Sequence, residues 1–189
     1  METALHPVVI FIDKGFHDIE VMYAKYRLEE AGYRVFLAGP IPGEKYLGKY
    51  GYPAIAEVGI HEVQARHYSA LICAGGWAPV SLRTDGKVRA VLAEFYREGK
   101  VMGAICNGPW MLISAGMCRG IKMTANGAVK DDLVNAGAIV HDAPVVVDRN
   151  VVTAPHTNNL PEFMKAVLEA LKRGSPRVVP AVEKVAATP

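Results

Sequence analysis

Several stretches of this sequence place apolar residues consecutively instead of at alternate positions: Pro7 to Asp13 (PVVIFID), Ser69 to Gly76 (SALICAGG) and Val101 to Ile105 (VMGAI). A strand with one wet face alternates apolar and polar residues, so runs like these need cover on both faces. Tyr33 to Gly39 (YRVFLAG) reads as a further strand. Helical stripes lie between them. Ile19, Met22, Tyr23 and Tyr26 fall on one helical face before Gly32, and Val88, Val91, Leu92 and Phe95 on another before Gly99. Strands alternating with helices form βαβ crossovers, hence an α/β fold with a mostly parallel sheet between two helical layers.

The remaining segments fit the same plan. Pro40 to Pro53 reads as a loop or irregular hairpin. Lys122 to Ala125, Ile139 to His141, and the pair Pro144–Val147 and Val151–Ala154 around Asp148-Arg149-Asn150 supply short strands. Trp110 to Ala115 is an apolar helix, and Leu160, Phe163, Met164, Val167 and Leu171 stripe a last one. One domain is expected over residues 1–173. Residues 174–189, with three prolines after Gly174 and no periodicity, are expected to be a flexible tail.

Composition excludes several classes of function. Lys plus Arg exceeds Asp plus Glu by 21 − 19 = +2, so no strong field points to nucleic acid. Three cysteines without a CxxC pair do not make a disulfide framework or a zinc module. No apolar run is long enough for a membrane span, and METALHPVVIFI lacks the basic start of a signal peptide. The expectation is a soluble, cytoplasmic protein that keeps its thiols reduced. No G-x-G-x-x-G follows any expected strand and no His/Cys cluster has ligand spacing, so neither cofactor nor metal is expected.

Ligands of parallel α/β sheets collect at the carboxyl ends of the strands. There Ala104-Ile105-Cys106-Asn107-Gly108-Pro109 sets a thiol on a strand-to-helix turn, the arrangement of a nucleophile elbow. Backbone N–H groups and the positive end of the following helix are expected to lower the thiol pKa. Cys73-Ala74-Gly75-Gly76 ends another strand, with Cys73 in the core and glycine N–H groups placed for an oxyanion. Cys118, beside Arg119, is read as incidental.

ALICAGGWAP, then GAICNGPWMLISAGM, then GAVKDDLVNAGA resemble the PfpI/ThiJ superfamily of the class I glutamine amidotransferase-like fold, in its intracellular-protease-like branch. The likeness runs from about Val8 to Leu171. It implies a flavodoxin-like αβα sandwich, a reactive elbow cysteine, and homodimers or larger homo-oligomers with sites near subunit interfaces. Activities of such relatives include peptidase, glyoxalase, protein deglycase, chaperone and isocyanide hydratase. The chain departs from the branch at three positions. The histidine that usually follows the cysteine is Asn107, which cannot titrate. A partner acid after the Ala-Pro of the glycine loop falls at Val80, and the acidic residue of the first βα loop aligns best with His17. The Cys-His-Glu triad is therefore absent, and peptidase activity is not expected.

In its place His17, in Lys14-Gly15-Phe16-His17-Asp18, is the candidate base for Cys106, with Asp18 or Glu20 orienting the ring; Glu20 also reads as a helix-dipole residue. His156, in Thr153-Ala154-Pro155-His156-Thr157-Asn158-Asn159, occupies the late loop where glutamine amidotransferases carry their histidine, but without the following His-x-Glu acid. Either His156 lines the pocket, or the loop serves the last helix, with Thr157 or Asn158 as its cap. Trp77 and Trp110 flank the two site loops and suit the walls of a small organic substrate.

The expected protein is thus a cofactor-free enzyme acting on a small molecule at a carbonyl or C–N bond by hydrolase, hydratase, lyase or glyoxalase/deglycase-type chemistry. Cys106 acts as nucleophile or thiol acid, with His17 and Asp18 as its catalytic partners. Gly75, Gly76, Asn107, Trp77 and His156 contact substrate or oxyanion. Two alternatives stand beside it: a redox- or stress-linked protein that senses oxidation at Cys106 without turnover, and a non-catalytic oligomeric scaffold.

Overall fold

The computed structural model describes residues 7–174. In chain order the elements are β1 (Val8–Phe11), α1 (Asp18–Glu30), β2 (Val35–Gly39), β3 (Lys45–Leu47), β4 (Pro53–Ile55), β5 (Val58–Gly59), β6 (Ala70–Cys73), α2 (Ala78–Leu82), α3 (Gly86–Arg97), β7 (Val101–Ile105) and α4 (Pro109–Ser114). There follow β8 (Lys122–Met123), α5 (Gly127–Asn135), β9 (Ile139–Val140), β10 (Val146–Asp148), β11 (Val151–Ala154) and α6 (Leu160–Arg173). The tail expected beyond Gly174 lies outside the described residues.

The consecutive apolar runs form the middle of a seven-stranded sheet, ordered β10-β11-β7-β6-β1-β2-β5. Every residue of β1, β6, β7 and β11 is buried. All pairings are parallel except the edge pair β10–β11, where Asp148-Arg149-Asn150 makes a tight reversal and Arg149 takes φ +53°. The helices α1 and α6 pack together on one face, and α2, α3 and α4 on the other. This is the flavodoxin-like α/β sandwich that the sequence led us to expect. The Pro40–Pro53 segment contains the first strand of an antiparallel hairpin, β3 with β4, and β8 pairs with β9 in a separate two-stranded ladder.

Two helices follow their stripes closely. Val88, Val91, Leu92 and Phe95 of α3 and Leu160, Phe163, Met164 and Val167 of α6 are buried. The first helix does not. Its inward face carries Glu20, Val21, Ala24 and Leu28, while Ile19 and Tyr26 are each 55% exposed and Met22 and Tyr23 are half-buried. The expected stripe is therefore the outer face. Small Ala24 lets α1 lie close to the sheet, and that brings the Glu20 carboxyl to the sheet's carboxyl edge.

Candidate active site

Four neighbouring central strands end at one edge, and each hands a short segment to the same spot. After β1 come Phe16 and His17; after β6, Gly75 and Gly76; after β7, Cys106 and Asn107; after β11, His156 and Thr157. The Cys106 N–H donates to Ala154 O at 3.0 Å and the Gly108 N–H to Ile105 O at 2.8 Å, which folds the chain back sharply. Cys106 itself sits at φ +59°, a left-handed conformation that costs a non-glycine residue about 1–2 kcal/mol. Gly108 has to be glycine, because a Cβ there would collide with Cys73 O. The elbow is thus a strained turn held by backbone bonds, with the sulfur half-buried at its tip.

Glu20 lies enclosed beside the elbow. Its side chain has no exposed surface, and it hydrogen-bonds the Cys106 thiol. The Gly75 N–H donates to its Oε2 at 2.6 Å and the Thr157 hydroxyl to its Oε1 at 3.0 Å. Burial pushes its pKa above the ordinary carboxylate range, opposed by the charge of His17 and by these hydrogen bonds. The Cys106 thiol is also pushed up, first by burial and then by the Glu20 charge. Donors from the Asn126 side chain and the Asn107 N–H act the other way. The expected lowering of the thiol pKa by the helix start is therefore outweighed by desolvation.

The histidine expected as base lies one step further out. His17 Nε2 faces Thr157 Oγ1 at 3.4 Å and Glu20 Oε1 at 4.0 Å, and its ring meets the Tyr50 ring edge-on at 5.5 Å. Its Nδ1 is buried without a hydrogen-bond partner. Asp18 does not orient that ring. Its carboxylate accepts the Tyr50 and Tyr52 N–H groups at 2.9 and 2.8 Å, tying the 48–52 turn to the start of α1. Two backbone N–H groups occupy the two oxygens of this short aspartate, one each.

The glycine loop is also reassigned in part. The Gly75 N–H is committed to Glu20, so it cannot serve an oxyanion. A Cβ at Gly75 would stand 2.8 Å from Cys106 Cβ and 2.9 Å from both Asn107 N and Glu20 Oε2, so close approach explains this glycine. Gly76, at φ +79°, turns its carbonyl to the Asn107 amide at 3.0 Å. The Gly76 N–H has no backbone acceptor among the described residues and is free to serve an oxyanion, whereas the Asn107 N–H is turned to the Cys106 sulfur.

Asn126, which the sequence reading passed over, completes the sulfur's surroundings. It caps α5, donates to Cys106 Sγ at 3.2 Å, and donates to Asn107 Oδ1. An asparagine followed by Gly-Ala-Val-Lys is a legible helix start, and that was the available signal. His156 is exposed and lines a cavity of about 400 Å³ with Ala125, Gly127, Lys130 and Asp142, beside Asn126. Trp77, next after Gly76, is 59% exposed, with Lys49 Nζ 5.3 Å from its ring and 5.4 Å from that of Tyr50. Trp110 instead packs half-buried and donates to Asp132 at 2.7 Å. Among the described residues no group of three or more His, Cys, Asp or Glu is arranged to hold a metal, and no helix is long and apolar enough to cross a membrane.

A model of the DJ-1/PfpI family matches residues 6–170. The chain belongs to that family. A protein of Thermococcus kodakarensis named a deglycase is 37% identical over 165 residues, which is 87% of this chain and 99% of its own. Deglycase PfpI of Pyrococcus furiosus is 36% identical over the same shares. Among solved structures, a two-domain protein of Anabaena variabilis with a DJ-1/ThiJ/PfpI-like and a ferritin-like domain superposes with a TM-score of 0.86 at 32% identity; the match covers 88% of this chain and 48% of that one. A ThiJ/PfpI domain protein of Brachyspira murdochii shares the fold at a TM-score of 0.85 and 23% identity, covering 90% of this chain and 99% of that one. Membership of the DJ-1/PfpI family, with relatives named as enzymes, supports an enzymatic role in broad terms.

Proposed function

We propose that this chain is a cysteine-dependent enzyme acting on a small carbonyl compound, of the glyoxalase or deglycase type. The observation that carries the reading is the strained Cys106 thiol hydrogen-bonded to the buried carboxyl of Glu20. In this reading Glu20, and not His17, accepts the proton. Burial makes its carboxylate a stronger base than a solvated one, which narrows the gap to the thiol. As the Cys106 sulfur forms a bond to the substrate's carbonyl carbon, the thiol proton passes to Glu20. The C=O π pair moves to oxygen, where the Gly76 N–H stabilises it, and Glu20 then returns the proton to that oxygen to give a hemithioacetal. His17 and Thr157 hydrogen-bond or face the far side of the carboxyl and position it. Hydrolase or lyase chemistry then depends on how this adduct breaks down.

The exposed Trp77 and Tyr50 rings border the approach, and His156 borders the adjoining cavity; both suit a small organic substrate better than an extended chain. The names of the archaeal relatives support the deglycase type. The test is turnover of small 1,2-dicarbonyls and of their amine adducts by the wild type, Cys106→Ser and Glu20→Gln. Loss of activity in both variants supports the reading. Activity retained in Cys106→Ser overturns it, and a wild type that turns nothing over while Cys106 oxidises to a stable acid favours the sensing alternative.

A cytoplasmic location and a homodimer belong to the same proposal. The outer face of α1 and the β3–β4 hairpin leave Ile19, Tyr26, Leu47, Tyr52 and Ile55 about half exposed, and Tyr26 hydrogen-bonds Tyr52 to make the face continuous. Lys25–Glu29 and Arg27–Glu30 pair on α1 itself, so little net charge opposes a second copy of this chain there.

A further inference from the structure

We propose that Asn126 is a positioning residue for the Cys106 nucleophile: its amide holds the sulfur as an acceptor and so aims the thiol proton at Glu20. The inference rests on the reading of Cys106 as the nucleophile, and it follows from a relay of amides whose orientations are each fixed at a backbone end.

The relay begins at Gly76, whose carbonyl can only accept; Asn107 therefore presents Nδ2 to it, at 3.0 Å, and turns Oδ1 the other way. Asn107 Oδ1 in turn accepts from Asn126 Nδ2. The opposite end of Asn126 is fixed independently, because its Oδ1 accepts the Ala128 N–H at 2.9 Å as the cap of α5. Exchanging oxygen and nitrogen on Asn126 would set a donor against the Ala128 N–H and an acceptor against Asn107 Oδ1. Both ends thus demand the same orientation.

Asn126 Nδ2 has two hydrogens. One goes to Asn107 Oδ1, and the other meets Cys106 Sγ at 3.2 Å. The Asn107 N–H also donates to that sulfur. With two donors on its lone pairs, the sulfur points its single hydrogen at the remaining acceptor, Glu20. Once the proton has moved, the same two donors stay on the thiolate. An amide does this at every pH, whereas an imidazole in its place would lose or gain a proton over the working range. The position after the elbow cysteine and the cap of α5 therefore act as one unit.

Capping and positioning separate experimentally, because serine and aspartate cap a helix about as well as asparagine but present no N–H to the sulfur. The measurement is the rate at which iodoacetamide alkylates Cys106, followed by mass spectrometry of its peptide from pH 6 to 10, with thermal unfolding alongside; Cys73 and Cys118 are buried. Expected for Asn126→Ser is a near wild-type melting temperature, an alkylation midpoint moved to higher pH, and a rate at pH 7 lower by about tenfold, as for loss of one hydrogen bond to a charged sulfur. Asn126→Asp is expected to lose more, since it adds a like charge. Wild-type midpoints in both variants overturn the proposal. A uniform change in rate at every pH, with the midpoint unmoved, also overturns it, because that reports access and not proton placement. Turnover retained in Cys106→Ser would sink the proposed function yet leave these alkylation midpoints to be read on their own.

Discussion

Replacing Glu20 by glutamine should separate stability from activity with opposite signs. The carboxyl is buried, and burial raises its pKa, so the folded protein holds this proton at pH values where the unfolded chain has released it. A group with a raised acid pKa makes stability fall as pH climbs from its unfolded value, near 4.5, to its folded value, and the loss persists above that. Glutamine removes this titration. It keeps an oxygen to accept the Gly75 N–H, and its amide nitrogen can donate to a rotated Thr157 hydroxyl. What it loses is the charge assistance on those bonds, about 1 kcal/mol, set against relief of a buried charge of comparable or greater size. At pH 7 Glu20→Gln should therefore melt within a few degrees of wild type or above it, and its stability should be flatter between pH 4.5 and 7. Turnover should collapse, since a positioned base contributes roughly 10²–10⁴-fold, about 3–5 kcal/mol of barrier. Thermal denaturation as a function of pH, with kcat/KM on a small dicarbonyl, reads both. Glu20→Gln turning over within threefold of wild type would refute the assignment of the base. A loss of more than about 3 kcal/mol of stability at pH 7 would refute the account of its burial.

Three further outcomes follow from the same geometry. Cys106→Gly should abolish turnover yet raise stability by about 1 kcal/mol, because glycine accepts φ +59° without strain; equilibrium denaturation that finds it less stable than Cys106→Ala would contradict the strained elbow. Gly75→Ala should destabilise by about 1–3 kcal/mol and slow alkylation of Cys106, since its methyl must push on the sulfur-bearing Cβ, on Asn107 N and on Glu20 at once; a silent substitution in both assays would show that the loop yields. Tyr26→Glu combined with Ile19→Lys should break the proposed dimer to monomer in light scattering at micromolar concentration, and a mass unchanged from that of the wild type would exclude the outer face of α1 as the contact.

The sheet and the elbow were legible because burial on both faces leaves a mark that needs no partner to read: β1, β6 and β7 are apolar at consecutive positions, and Cys106 follows the last of them. The first helix was not, and the reason is physical. Its most apolar stripe, Ile19, Met22, Tyr23 and Tyr26, carries bulky side chains and faces outward, whereas the inward face is Glu20, Val21, Ala24 and Leu28. A carboxylate on that inward face looks like a solvated helix-start residue until the Gly75 N–H and the Thr157 hydroxyl are seen to satisfy it. Asp18 was misread for the complementary reason: its acceptors are used by the 48–52 turn, a contact across thirty residues that no local pattern announces. Asn107 was noticed for what it lacks as a base; its role as an amide between Gly76 and Asn126 appears only when three separate loops meet.

Because Cys106 hangs from β7, with β6 and β11 bonded to either side, its position cannot soften unless the middle of the sheet opens. The rim is different. The β3–β4 hairpin, Trp77 and the stretch after β11 border the approach from short, largely exposed segments. A lineage of such proteins can therefore exchange its clientele at the doorway while the inherited reaction stays bolted to the frame.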